Sequence, residues 1–252
     1  MNAKKIKQIQ SLKHQKYREK YREFIIEGKR LVKSAIESQT ITLLIIYTDV
    51  FFKSNELWLK SINNSYVKQV SSNVFQKISN TKSPSGIAAV CKLPENKSPD
   101  MKNNQWIYLD KISDPGNMGS LIRSAAWFGL DLIALSPGCV DPYNPKVLRS
   151  GMGAHFNVKI YDDIPLIQFS NTHEIIACET TGKDVLQFKF PKKNVIVLAN
   201  EAHGHTKQNK KYINNYITIK KIKAGESLNV SAAGAIIFHQ LTLNKLYLCL
   251  VL

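Results

Sequence analysis

The sequence predicts an α/β protein built in two parts: a smaller α/β domain over residues 1–93, a linker over 94–104, and a larger domain over 105–252 whose sheet is mostly parallel. Three observations carry this reading. The stretch from Pro94 to Asn104 is polar, holds two prolines and has no apolar period, which is the composition of a linker. On both sides of it, short apolar runs alternate with helical patterns, as in βαβ units. Beyond it, those runs are apolar without alternation, as in strands covered by helices on both faces.

The elements follow in order. Lys4 to Arg30 is strongly basic, with Lys13, Lys16, Arg18, Arg22 and Arg30 among its cations. Tyr17 and Tyr21 are four residues apart, which on a helix puts both rings on one face beside the charges. Basic residues interleaved with aromatics suit a phosphate backbone and stacked bases, and they equally suit a solvated helix that packs its tyrosines. Phe24 to Ile36 reads as a strand, a turn at Glu27-Gly28 and a helix; Leu43–Tyr47, Val67–Val70 and Gly86–Cys91 read as strands. In the larger domain, Trp106–Asp110, Leu132–Leu135, Glu174–Cys178 and Val195–Ala199 read as strands, and Gly119–Phe128 and Val230–Leu241 as helices. Such sheets bind ligands at the carboxyl ends of their strands.

Hydrophobic residues make up 44% of the chain, enough for a core, so wholesale disorder is excluded. The 35 Lys+Arg against 19 Asp+Glu leave a net charge of +16, which points to a polyanionic partner, nucleic acid first. A Lys- and Asn-rich composition that only keeps the chain soluble is the alternative. Cys91, Cys139, Cys178 and Cys249 form no Cys-x-x-Cys pair, so neither a zinc site nor a disulfide framework is expected. Met1-Asn2-Ala3-Lys4-Lys5 opens a charged stretch rather than a signal peptide. The apolar run Leu246–Leu252 is too short to span a bilayer. A cytoplasmic protein without a membrane or metal partner is expected. A G-x-G-x-x-G turn, a P-loop and a G-x-S-x-G elbow are all missing from the sequence, which argues against dinucleotide, nucleoside triphosphate and serine-hydrolase chemistry.

Three segments, each expected just after a strand, carry the candidate chemistry. In the first, Pro115, Gly116 and Gly119 open a helix whose start offers free N–H groups. Arg123 is the lone charge among Leu121, Ile122, Ala125 and Ala126, so it needs either a buried partner, Asp110 or Glu201, or a role in a site. The second, VLANEAHG, ends a buried-type strand in Asn200-Glu201; His203 and His205 read as loop residues, with no third metal ligand nearby. In the third, ESLNVSAAG, Ser227 and Asn229 precede a small-residue helix start, which serves either as a helix cap or as a close approach to a ligand.

Taken together and in order, DPGNMGSLIRSAAWFG with PKVLRSGMGAHF, then VLANEAHG, then ESLNVSAAG resemble the motifs of the SpoU (TrmH-like) branch of the SPOUT RNA methyltransferases. FIIEGKRLVKSAI and TKSPSGIAAV look like the ribosomal-protein (L30e-like) substrate-binding domain often fused to that enzyme. The resemblance implies a C-terminal α/β domain tied in a deep trefoil knot, a homodimer, and S-adenosylmethionine as donor of a methyl group to a ribose 2′-hydroxyl of RNA. By motif position it makes Asn117, Arg123, Glu201, Ser227 and Asn229 catalytic-site residues. It places Leu198, Ala199, Asn200, Ile219, Leu228 and Asn229 at the cofactor, with Thr181 and Gly182 lining the same pocket. Lys13, Lys16, Arg18, Arg22, Arg30 and Arg149 are the expected RNA contacts. The separate basic N-terminal domain favours a large folded RNA, ribosomal rather than transfer RNA; a transfer-RNA enzyme, a base-methylating relative and an RNA-binding member without turnover are the alternatives. Two departures stand out: alanine occupies 199 and 202, where the family usually has glycine, and Lys220-Lys221 follow Ile219 in place of Pro-Met. A guanidinium is too basic to act readily as a general base, so Arg123 is expected to clamp a developing alkoxide or a neighbouring phosphate.

Overall fold

The computed structural model describes residues 1–62, 66–95, 98–200 and 204–250, with side chains as far as Leu243. The chain divides into two compact units, Met1–Glu95 with Tyr143–Phe156, and the remainder.

In the first unit the basic stretch is two helices, α1 (Ala3–Ser11) and α2 (Gln15–Tyr21). Asn2 caps α1, accepting from the Lys5 amide at 2.9 Å. Next come β1 (Glu23–Glu27), α3 (Lys29–Glu37), β2 (Thr42–Thr48), α4 (Asp49–Ser61), β3 (Val67–Val70), α5 (Ser72–Ile78) and β4 (Ile87–Lys92). The sheet order is β1-β4-β2-β3, with β4 antiparallel to both neighbours and β2 parallel to β3. Alternate residues feed two cores. Phe24, Ile26, Ile45 and Ala89 pack on one face with Leu31 and Val32; Ile25, Ile46, Ala88 and Val90 pack on the other with Ile9, Leu12 and Phe75. Burial on both faces is why these strands read as unbroken apolar runs.

In the second unit, β5 (Gln105–Asp110), α6 (Pro115–Trp127) and β6 (Leu132–Leu135) are followed by an excursion, α7 (Pro145–Gly151), that belongs to the first unit and packs on β1. Then come β7 (Lys159–Tyr161), β8 (Glu174–Asp184), β9 (Asn194–Ala199), α8 (Lys207–Lys210), β10 (Asn215–Thr218) and α9 (Val230–Leu250). The sheet order is β10-β8-β9-β5-β6-β7 and every ladder is parallel. The chain runs outward from β5 to β7, then returns on the other side, so the order reverses between β5 and β9. That switch point is where open parallel sheets take ligands. Trp106, Tyr108, Phe169, Val195 and Val197 fill one face of the sheet. On α9, Gly234 lets the helix close down: a methyl there would overlap Leu121 and come within 3.0 Å of Leu198. Among the described residues no helix is long and apolar enough to cross a membrane.

Candidate active site

The site begins where β5 and β9 end. Asp110 and Ala199 are register partners, and the Asn200 amide donates to the Asp110 carbonyl at 3.2 Å. Asp110 is fully buried and its Oδ2 accepts from the Thr206 amide at 3.1 Å. The Asn200 side chain donates to Ser113 Oγ at 3.0 Å and to the Lys111 carbonyl at 3.3 Å, which ties the β9 end to the loop before α6. Asp114 caps α6, accepting from the Asn117 amide at 2.8 Å, with Pro115 in the first turn. Asn229 begins α9 in the same manner: its Oδ1 accepts from the Ser231 amide at 3.0 Å and the Ala232 amide at 3.4 Å. Its Nδ2 donates to Asn117 Oδ1 at 2.9 Å, so one asparagine pair joins the starts of two helices.

Beside this junction is an open cleft of about 160 Å³. Leu198, Ala199, Asn200, Ile219, Ser227 and Leu228 line it. Its far wall comes from a break in β8. The β10 ladder pairs Tyr216 with Ala177 and then Ile217 with Lys183, so the residues between leave the sheet, and Cys178, Glu179 and Thr180 face the cleft. His205 supports that wall: it is 3% exposed, its Nε2 lies 2.9 Å from the Cys178 carbonyl and 4.0 Å from Glu179 Oε1, and among the described residues its Nδ1 has no hydrogen-bond partner. Burial first, and the Glu179 charge second, push the Cys178 thiol up to about 11, so it lines the cleft as a neutral group.

The sequence expectations meet this geometry unevenly. Leu198, Ala199, Asn200, Ile219, Leu228 and Ser227 come together at the cleft, and Asn117 and Asn229 at its edge. Ala199 continues the β5 register and is not among the residues with positive φ, so its methyl needs no left-handed backbone. Glu201, with Ala202 and His203, lies outside the described residues. Thr181 and Gly182 do not line the cleft. Gly182 instead closes the β8 break, where a Cβ would stand 2.6 Å from the Tyr216 carbonyl oxygen. Arg123 is exposed on α6 rather than buried, and among the described residues no hydrogen bond or ion pair, from Asp110 or elsewhere, holds its guanidinium. Among the cleft residues that the sequence does not single out are Cys178, Glu179, Thr180, His205 and Thr218. The run Glu179-Thr180-Thr181-Gly182 was the available signal for the first three; nothing in the pattern marked His205 as buried.

The expected RNA contacts also separate. Lys13, Lys16 and Arg30 are exposed. Lys16 stands 4.9 Å over the Tyr17 ring, and Tyr17 stacks on Tyr21 at 6.2 Å. Arg18 is a correction: it is 2% exposed and donates to the Leu12 carbonyl at 2.7 Å, holding the turn between α1 and α2. Arg22 is half-buried and donates to the Pro94 carbonyl. Arg149, on α7, donates to the Asn80 carbonyl at 3.4 Å within the first unit. Among the described residues there is no cluster of groups able to hold a metal.

Residues 104–239 match the SpoU rRNA Methylase family, and residues 3–89 match the MRM3-like substrate binding domain. The chain is 30% identical to the 23S rRNA (guanosine(2553)-2'-O)-methyltransferase RlmP of Bacillus subtilis (strain 168), over 94% of this chain and 95% of that one. Among solved structures, a protein from Porphyromonas gingivalis assigned to the TrmH family of RNA methyltransferases superposes with a TM-score of 0.84 at 25% identity, covering 95% of this chain and 97% of the other. The SpoU methyltransferase AviRb from Streptomyces viridochromogenes, solved in complex with the cofactor AdoMet, shares the fold with a TM-score of 0.84 at 20% identity, over 98% and 100% of the two chains.

Proposed function

The chain belongs to the SpoU rRNA methylase family, and from that membership and the cleft at the β5/β9 switch point we propose that it moves a methyl group from S-adenosylmethionine to a ribose 2′-hydroxyl of ribosomal RNA. The observation that carries the reading is that the second and third motif segments line one cleft and the first is tied to them by the Asn117–Asn229 hydrogen bond. The cleft suits the donor. Leu198, Ile219, Leu228, Val230 and Ala233 give it apolar walls for a flat base, and Glu179 offers a carboxylate to a diol or a cationic centre. When bound, the donor supplies a methyl on a cationic sulfur, so the leaving group departs neutral. The protein's residues supply alignment, which contributes on the order of 7–11 kcal/mol in well-oriented systems. Asn117 and Asn229 fix the two helix starts, Ser227 and Leu228 hold the mouth, and Arg123 clamps the developing alkoxide or its phosphate. Glu201 completes the set by family position.

The position of Arg123 supports a homodimer. Arg123 and Trp127 are one turn apart on α6, hence on one face. Trp127 is 83% exposed, an unusual position for so large an apolar ring in a lone chain. A second copy covering Trp127 would carry its neighbour Arg123 toward a site at the interface. We extend to this chain the family's trefoil knot in the C-terminal passage, the L30e-like role of the first unit in holding RNA, and, because ribosomal RNA is the substrate, a cytoplasmic location.

Purified protein incubated with unmodified large-subunit ribosomal RNA and labelled S-adenosylmethionine should yield one ribose-methylated nucleotide. A base-methylated product, or no donor binding by calorimetry at millimolar concentration, overturns the proposal. Arg123→Ala should nearly abolish turnover while donor affinity stays within a few-fold; wild-type turnover would remove Arg123 from the chemistry.

A further inference from the structure

In the first unit one carboxylate organises a whole loop. Glu27, at the end of β1, accepts from Ser79 Oγ at 2.9 and 3.0 Å, from the Asn80 amide at 3.3 Å, from Thr81 Oγ1 at 3.0 Å and from the Ser85 amide at 3.1 Å. Thr81 closes the turn from within, its amide donating to Ser79 Oγ at 3.0 Å. The segment from Ser79 to Ser85 has no helix or strand of its own, so its shape rests on these bonds.

The charges around Glu27 make the arrangement unusual. Lys82 is at the tip of the loop and exposed, Arg30 is three residues past Glu27 and exposed, and Arg149 donates to the Asn80 carbonyl at 3.4 Å. A carboxylate in such surroundings would ordinarily pair with a cation. Here its acceptor sites are occupied by hydroxyls and amides, and among the described residues Arg30 and Lys82 have no ion-pair partner. The negative charge is thus spent on neutral donors, and the cations stay available to an external anion.

We propose that Glu27 is a positioning residue for substrate recognition: it folds the Ser79–Ser85 loop so that Lys82, with Arg149 held at Asn80 in the same loop, meets the phosphate backbone of the RNA. The inference rests on the RNA-methyltransferase reading above and adds to it a residue and a surface. Phosphate contacts set register without reading sequence, so the loop governs how RNA docks and leaves the methyl transfer itself untouched.

The test is a double-mutant cycle on the full chain with in-vitro-transcribed large-subunit ribosomal RNA. Lys82→Gln should weaken RNA binding and lower the slope of log Kd against log salt by about 1, as loss of one phosphate contact does. Glu27→Gln, which turns an amide toward donors that need an acceptor, should raise KM for RNA and lower the salt slope by the same amount. It should leave kcat at saturating RNA and the donor Kd unchanged. The pair Glu27→Gln/Lys82→Gln should be no weaker than the worse single variant. Effects that multiply to within about twofold, the behaviour of independent sites, would overturn the proposal, as would an unchanged salt slope in Glu27→Gln. If Glu27→Gln does not fold, Thr81→Val, which removes one donor from the carboxylate, takes its place in the cycle. A wild-type protein that binds donor but no RNA would overturn the functional reading and this inference with it, whereas additive singles on a functioning enzyme overturn this inference alone.

Discussion

Asn229 does two jobs with two different atoms. Its Oδ1 caps α9 through the Ser231 and Ala232 amides, and its Nδ2 holds Asn117 Oδ1. The two can be separated. Asn229→Ala removes both, and should cost about 0.5–2 kcal/mol as a lost cap does, together with turnover. Asn229→Asp keeps the cap acceptor but sets an oxygen against Asn117 Oδ1, so thermal stability should stay close to wild type while kcat falls. Calorimetric melting beside single-turnover kinetics reads the two apart; equal losses of stability in both variants would show that the Asn117 bond is structural. Gly182 gives a second residue-scale expectation. A Cβ there would stand 2.6 Å from the Tyr216 carbonyl oxygen, so Gly182→Ala must part β8 from β10. Overpacking of this kind costs about 1–3 kcal/mol, which in a chain of this size lowers the melting temperature by roughly 2–4 °C per kcal/mol. Donor affinity should fall with it, because Cys178, Glu179 and Thr180 belong to the same break; an unchanged Kd would disconnect the break from the cleft.

At the scale of elements, α6 presents Arg123 and Trp127 on one exposed face. Trp127→Lys should give a monomer by light scattering and lose turnover, with donor affinity largely kept; an active monomer would show that the site needs no second copy. The elements were legible to different degrees for physical reasons. Strands buried on both faces, such as β5, β6 and β9, announce themselves as apolar runs, and all were read. α4 and α5 were not, because α4 carries exposed Val50 and Leu57 on its surface and kinks at Asn55, which blurs its apolar period. The cleft's near wall was legible because its residues sit in compact motifs. The far wall was not, because it exists only through a jump in register between β8 and β10. Arg18 and Arg123 were misjudged in opposite senses: a cation in a basic helix is buried on a carbonyl, and a cation among apolar neighbours is exposed. Side-chain direction around a helix decides both, and a linear charge pattern does not contain it. The α7 excursion was assigned to the larger domain because its motif runs on from α6, whereas its apolar residue Leu148 packs with the core of the first unit.

At the scale of the whole molecule, the same burial that keeps three thiols neutral limits stability in alkali. Burial pushes Cys91 from 9.0 to about 12, and Cys139 and Cys178 each from 9.0 to about 11. The folded chain therefore holds these protons above pH 9, while the unfolded chain releases them. Where the unfolded state binds fewer protons, stability falls as pH rises. The loss begins near pH 9, is complete for Cys139 and Cys178 near pH 11 and for Cys91 near pH 12, and amounts to at most about 1.4 kcal/mol per pH unit for each thiol. Tyr108, raised by burial and by the Asp110 charge, adds in the same direction from about pH 10 upward. The net charge of +16 works the other way in this window, because deprotonating lysines relieves self-repulsion. The thiol contribution is isolated by comparing the wild type with Cys139→Ala/Cys178→Ala. Urea midpoints of the two proteins should run parallel from pH 7 to pH 8.5 and then converge as pH rises to 11, because only the wild type loses the two proton-linked increments. Parallel curves across the whole range would mean that both thiols ionise as readily in the folded protein as in the unfolded chain, and that the wall of the cleft carrying Cys178 is open to water.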